Sequence, residues 1–177
     1  MITKALILAI IIVESGGNPN ALSPTGAQGL MQLTQIAVKE VNIQYGITTQ
    51  PDLGDPYVNV CYGILLLDFY YHASGSIKGA IITYNGGYVQ LARWRNRLPL
   101  TPETAEYLPK VLAHRTHHNR MFDAELSPSS GIGAVVDDVW DDLYGAGEGG
   151  EGFLSTGGLH TLRDINNPNT ILCRIPM

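Results

Sequence analysis

The sequence predicts an all-α domain over residues 1–123, and three observations carry that prediction. Apolar stretches of helical length recur, each closed by a cluster of Gly, Ser, Asn or Pro. No stretch in this part alternates polar and apolar residues as a half-buried strand would. The composition, 45% hydrophobic against 15% charged, suits a chain with a proper core and not a disordered one.

The elements follow in order. Residues from about Ile2 to Ser15 are apolar nearly all round, so this helix should be the most buried. Gly16, Gly17, Asn18 and Pro19 end it. Ser23 or Thr25 is expected to cap a second helix carrying Leu30, Met31, Leu33, Ile36, Ala37 and Val38, fading near Asn42. Gly26 and Gly29 should allow close backbone approach there. Residues 43–54 read as loop. Asp55 and Pro56 mark a helix start, since proline's missing N–H is harmless in a first turn. An apolar helix from Tyr57 to His72 is broken by Ser74, Gly75 and Ser76. The next helix, Ile77 to Tyr84, is stopped by Gly86 and Gly87, and Tyr88 to Arg97 is again helical. Pro99 to Pro102 forms a turn, and a last helix runs toward Phe122.

Beyond residue 123 the character changes. Residues 127–133 and 145–152 are Gly- and Ser-rich linkers, with an amphipathic segment from Val135 to Tyr144 between them. The end, from Ile171, is apolar and strand-like. Residues 124–177 therefore read as an acidic, Gly-rich tail. The net charge of −5 divides accordingly: nine Lys/Arg against seven Asp/Glu in residues 1–122, two against nine in 123–177. No basic stripe suggests nucleic acid. Cys61 and Cys173 lie far apart, Cys61 inside an apolar helix, so a buried thiol is expected and no disulfide framework. The Ala5–Val13 run is too short to cross a bilayer, and it lacks a small-x-small cleavage site for a signal peptide.

One residue in the first helix stands out. Glu14 closes an apolar run at a helix C-terminus, where the dipole disfavours a carboxylate and apolar neighbours disfavour it again by desolvation. Both push toward a protonated acid near neutral pH, the requirement for a general acid. Asp52, Asp55 and Asp68 are the other candidate acids, each with a simpler role as loop residue, helix cap or exposed charge. His114, His117 and His118 share about one helical face, but no HExxH pattern accompanies them and no metal site is expected. Arg93, Arg95 and Arg97 around Trp94 read as a solvated basic turn.

The run Glu14-Ser-Gly-Gly-Asn-Pro-Asn-Ala followed by Ser23-Pro-Thr-Gly-Ala-Gln-Gly-Leu-Met-Gln resembles the catalytic core of the soluble lytic transglycosylases, relatives of goose-type lysozyme. Three later blocks agree in order: Asp55-Pro56 with Asn59, Val60 and Gly63; Ala80-Ile-Ile-Thr-Tyr-Asn-Gly-Gly; and Glu103-Thr104 with Tyr107, Leu108 and Val111. The resemblance covers about residues 2–115 and implies a lysozyme-like helical fold without a cofactor. It implies that Glu14 is catalytic, serving as acid and then as base. It implies substrate-binding roles for Ser23, Gln32, Tyr84, Asn85, Glu103 and Tyr107. Two departures stand out: Thr34-Gln35 where the family commonly has Met-Pro, and Thr83 where Ala is usual before Tyr84.

The implied activity is cleavage of the MurNAc–GlcNAc β-1,4 bond of peptidoglycan with formation of a 1,6-anhydro-MurNAc end. Hydrolysis of the same bond by a muramidase and a non-catalytic docking protein on the same fold stand as alternatives. The substrate lies outside the inner membrane, yet no signal or anchor is evident, so residues 124–177 are expected to dock on a partner. A phage particle that opens the wall during entry is the favoured carrier, with other virion proteins as partners. A secretion or conjugation apparatus, or release through a lysis pore, are the other routes.

Overall fold

The computed structural model describes residues 2–122 and two strands at 159–163 and 171–176, with side-chain surroundings for 2–118. Among these residues the helices are α1 (Lys4–Ser15), α2 (Gln35–Tyr45), α3 (Pro56–Ser74), α4 (Ile77–Arg95) and α5 (Pro102–Phe122). The strands β1 (Leu159–Arg163) and β2 (Ile171–Pro176) form an antiparallel pair with an irregularity between Leu162 and Arg163. The all-α expectation holds over 2–122, and the strand-like reading of Ile171 onward agrees with β2. The linkers at 127–133 and 145–152 and the Val135–Tyr144 segment lie outside the described residues.

The helices α1 to α4 each start on a residue suited to the job. Thr3, Thr34 and Ser76 accept N–H groups from Leu6, Ala37 and Gly79. Asp55 accepts from both Tyr57 (2.9 Å) and Val58 (3.1 Å), with Pro56 in the first turn. Thr34, a departure from the family pattern, is thus employed as a cap. Gly16, Gly46 and Gly75 end their helices in the left-handed conformation.

α1 is buried from Lys4 through Ile11 and packs against α5, while α3 packs against α2 and α4 and α4 against α5. The cluster includes Leu6, Ile7 and Ile10 from α1, Ile64, Leu65 and Leu67 from α3, and Val111 from α5. Each such side chain contributes roughly 1.5–3 kcal/mol by leaving water. The result is a rigid shaft, α1, whose last turn emerges toward solvent at Ile12.

Three expectations are corrected. The second helix does not begin at Ser23 or Thr25: residues 20–33 form an irregular loop, and only from Gln35 is the chain helical. Gly26, Gly29 and Gln32 all have positive φ, and Gln28 bridges to both Leu22 and Leu33, geometry a helix forbids. Leu30, Met31 and Leu33 are nonetheless buried, so their apolar spacing mimics a helix without forming one. Close approach holds for Gly29, where a Cβ would stand 2.2 Å from Asn59 Nδ2, but not for Gly26, which has open space and needs only its φ. Lastly, Cys61 is fully buried as expected, yet it is disulfide-bonded. The only other cysteine is Cys173, in β2, a strand that touches α3. Two cysteines so far apart give no pairing signal in sequence.

The break at Gly86-Gly87 is real but local. Gly87 has φ 68° and ψ −173° inside an otherwise continuous α4, so the helix kinks and resumes. Gly86 is needed for a different reason: a Cβ there would lie 2.6 Å from Thr104 Oγ1 on α5.

Candidate active site

Glu14 sits in the last turn of α1, partly buried, where the shaft meets the irregular loop and α5. Ser15 fastens that end: its hydroxyl lies 2.8 Å from the carbonyl of Leu30 and accepts the N–H of Gly17. The hydroxyl of Tyr107, one turn into α5, donates to Glu14 Oε1 at 2.6 Å. Burial raises the Glu14 pKa from 4.5 to about 7; the Tyr107 hydrogen bond pulls it down, and the charge of Glu103 pushes it up again. Desolvation therefore dominates the effect that the sequence suggests.

Tyr84 extends from α4 and donates to the carbonyl of Met31 at 2.7 Å. Its own pKa is raised, first by burial and then by the charge of Glu14 nearby. Tyr107 behaves alike, with Glu14 and Tyr84 both contributing after burial. Glu14, Tyr84 and Tyr107 thus form one cluster, drawn from α1, α4 and α5. Next to it, Asn85 Oδ1 accepts the Thr104 hydroxyl at 2.7 Å, and Asn85 Nδ2 lies 3.5 Å from the exposed Glu103. Glu103 is the neighbouring carboxylate whose charge reaches Glu14.

Two residues of the expected set are engaged otherwise. Ser23 Oγ accepts the Ala27 N–H at 2.9 Å and pairs with Thr25 Oγ1 at 2.9 Å, so it holds its own turn. Gln32 Nε2 donates to the carbonyls of Ala21 (3.1 Å) and Gly29 (2.9 Å), which commits both amide hydrogens to the loop. Of the alternative acids, Asp52 accepts the Gly54 N–H and Asp55 caps α3 as foreseen, whereas Asp68 is half-buried instead of exposed, 3.6 Å from His72 and 3.5 Å from the Tyr45 hydroxyl. His114 and His117 are exposed, and among the described residues no cluster of three metal-ligating side chains occurs. Arg93 and Arg95 donate to the carbonyls of Pro99 and Ala73, bracing the helix end. Thr83, the second departure, turns its hydroxyl onto the Gly79 carbonyl at 2.7 Å inside its own helix.

Sequence reasoning assigns no role to Asn59, which the structure makes central to positioning. Fully buried on α3, it accepts the Met31 N–H (2.9 Å) and donates to the carbonyls of Gln28 (2.9 Å) and Leu53 (3.1 Å). Met31 is the residue whose carbonyl receives Tyr84, so Asn59 and Tyr84 hold the same loop from two sides. A lone Asn inside an otherwise apolar helix was the available signal. Gly63, one turn on, makes room for Met31: a Cβ there would meet its Sδ at 2.3 Å. A separate groove of about 560 Å³ runs along α2, lined by Lys39, Asn42, Ile43 and Ile47 among others, and none of the expected site residues lines it.

Residues 1–106 match the family described as the transglycosylase SLT domain. A transglycosylase of Enterobacteria phage PRD1 is 35% identical over 133 residues, covering 73% of this chain and 44% of that protein. An endo-type membrane-bound lytic murein transglycosylase A of Enterobacter sp. (strain 638) is 42% identical over 82 residues, 44% of this chain and 39% of that one. The 70 kDa soluble lytic transglycosylase of Escherichia coli superposes with a TM-score of 0.62 at 25% identity, over 69% of this chain and 22% of its own. The lytic transglycosylase Slt of Pseudomonas aeruginosa, solved as an inactive mutant, gives 0.61 at 26% identity, with coverages of 69% and 22%. The chain spans less than half the length of each of these relatives.

Proposed function

Because this chain belongs to the SLT transglycosylase domain family, we propose that it is a peptidoglycan lytic transglycosylase with Glu14 as its catalytic acid and base. The observation that carries the reading is the buried carboxyl of Glu14, with a pKa near 7 and one oxygen held by Tyr107. At neutral pH such a group is protonated in a large fraction of molecules and has a free oxygen to act with.

The reaction runs in two steps. Glu14 gives its proton to the bridging oxygen between MurNAc C1 and GlcNAc C4, and the C1–O bond breaks, leaving positive charge on the MurNAc ring. The carboxylate so formed then takes the proton from the C6 hydroxyl of that MurNAc, whose oxygen closes on C1. The product is a 1,6-anhydro sugar, and Glu14 ends as it began. One carboxyl group suffices for both steps, whereas hydrolases commonly use two. Glu103 is exposed, so it supports binding and local charge better than covalent chemistry. Tyr107 orients the acid, Tyr84 forms the wall beside it, and Asn85 and Glu103 provide polar contacts along the rim. Ser23 and Gln32 contribute through their remaining acceptors and through the loop they stabilise. The substrate is the glycan strand of peptidoglycan.

Mass spectrometry of digested sacculi tests the reaction. Anhydro-muropeptides are expected, and Glu14→Gln should lower their formation by at least about a thousandfold while the fold persists. Reducing-end products would establish a muramidase instead. Undiminished cleavage by Glu14→Gln would remove the assignment.

The site of action is the cell wall, and the carrier in our reading is a phage particle. The likeness to a phage transglycosylase supports this, extending over nearly three quarters of the chain. In that reading residues 124–177 dock on other virion proteins.

A further inference from the structure

Away from Glu14, a second polar and aromatic group crosses from α2 to α3 to α4. The hydroxyl of Tyr70 donates to Glu40 Oε2 in a short hydrogen bond, leaving Oε1 of that carboxylate for another donor. Tyr70 is nearly buried, and its ring meets that of Tyr88 edge-to-face, centroids 5.7 Å apart at 89°. Tyr88 itself is 46% exposed, enough for much of its ring to be covered by a ligand. None of the three takes part in the chemistry at Glu14.

Their placement relative to the acid is defined by Tyr84. It lies four residues before Tyr88 on α4, and the charges of both Glu14 and Tyr70 reach it. The kink at Gly87 falls between the two tyrosines. It separates Tyr84, committed to the Met31 carbonyl, from Tyr88, free toward solvent.

We infer that Glu40, Tyr70 and Tyr88 form an outlying sugar subsite, in which the Tyr88 ring stacks on a pyranose face and the Glu40 carboxylate accepts a hydroxyl or acetamido N–H of the same sugar. The inference rests on a glycan being the substrate and adds where a unit remote from the broken bond is held. A pyranose presents axial C–H groups on one face, which suit an aromatic ring, and polar groups around its edge, which suit a fixed acceptor. Tyr70 supplies the fixing: it ties the carboxylate in place and braces the stacking ring from below. This arrangement favours long strands over short fragments.

The experiment separates binding from cleavage. In the full chain carrying Glu14→Gln, calorimetric titration with a GlcNAc–MurNAc octasaccharide is compared with titration by a tetrasaccharide. Adding Tyr88→Ala is expected to weaken octasaccharide binding about tenfold and to reduce the octasaccharide-to-tetrasaccharide affinity ratio. Tyr88→Phe should retain that ratio, since it keeps the ring. Glu40→Gln should weaken binding severalfold, with thermal unfolding confirming the fold of each variant. An unaltered ratio in Tyr88→Ala, or no octasaccharide binding at millimolar concentration, overturns the subsite. Cleavage of sacculi by the unaltered chain is judged separately and decides the reaction, not the subsite.

Discussion

A carboxyl group held near pKa 7 affects folding as well as chemistry. Glu14 has an ordinary value of 4.5 in the open chain and about 7 in the fold. Between those pH values the folded state retains a proton that the unfolded chain releases, so stability falls as pH rises through the window and stays lowered above it. The full difference is roughly 3 kcal/mol. Glutamine does not titrate, so Glu14→Gln should gain roughly 2–3 kcal/mol on the unaltered protein between pH 4 and pH 8, read by urea unfolding at both. Equal relative stability at the two pH values would contradict the buried acid. The rate should move the same way for its own reason: the first step needs the protonated form, so activity declines as pH rises through about 7. At this scale the sequence was readable where it mattered most, because an apolar run ending in one Glu states both burial and position. It is silent on how Gln32 and Ser23 are held, since hydrogen bonds within an irregular loop leave no periodic trace.

Among the elements, the loop of residues 20–33 depends on others for its shape. It has no helix to satisfy its backbone, so Asn59 on α3 supplies a donor and an acceptor from within the core. Replacing Asn59 by Ala strands the Met31 N–H and the Leu53 carbonyl in the interior and leaves the Gln28 carbonyl with the Leu33 N–H alone. The expected loss is about 3–5 kcal/mol, on the basis of 1–3 kcal/mol for each buried group left unpaired, measured by chemical denaturation. A loss under about 1 kcal/mol would mean that water can replace the side chain. The helices α3 and α5 were legible to within a residue or two because Asp55-Pro56, Gly75 and Pro102 punctuate them directly. The start of α2 was not, because Leu30, Met31 and Leu33 are spaced as on a helix while positive φ values at Gly29 and Gln32 unwind the backbone beneath them.

Across the whole sequence, charge is divided unevenly between the two parts. Residues 1–122 carry a slight positive excess, suited to an anionic wall polymer, and residues 123–177 the opposite. If the acidic part docks the enzyme on a particle, deleting residues 124–177 should abolish incorporation while cleavage by the purified protein persists. Immunoblotting of purified particles and a sacculus assay read the two effects. Unchanged incorporation would discard the docking role. The deletion also removes Cys173, so Cys61→Ala belongs with it to avoid a stranded core thiol. Sequence separated these parts by composition alone; it could not show the disulfide at Cys61, which depends on how distant segments meet.

The hydrogen bond between Tyr107 and Glu14 joins residues 93 positions apart. Its consequence lies in time. Among the described helices, synthesis makes α1 first and α5 last, and α5 also packs on the apolar shaft. A nascent chain that has not yet reached Pro102 has an acid without its phenol and an apolar helix without its lid. The bond forms only by closing a long stretch of chain, an event that comes late when distant contacts must be gathered. The Tyr107–Glu14 pair therefore forms only once α5 has been made, and no product of translation interrupted before Tyr107 carries it.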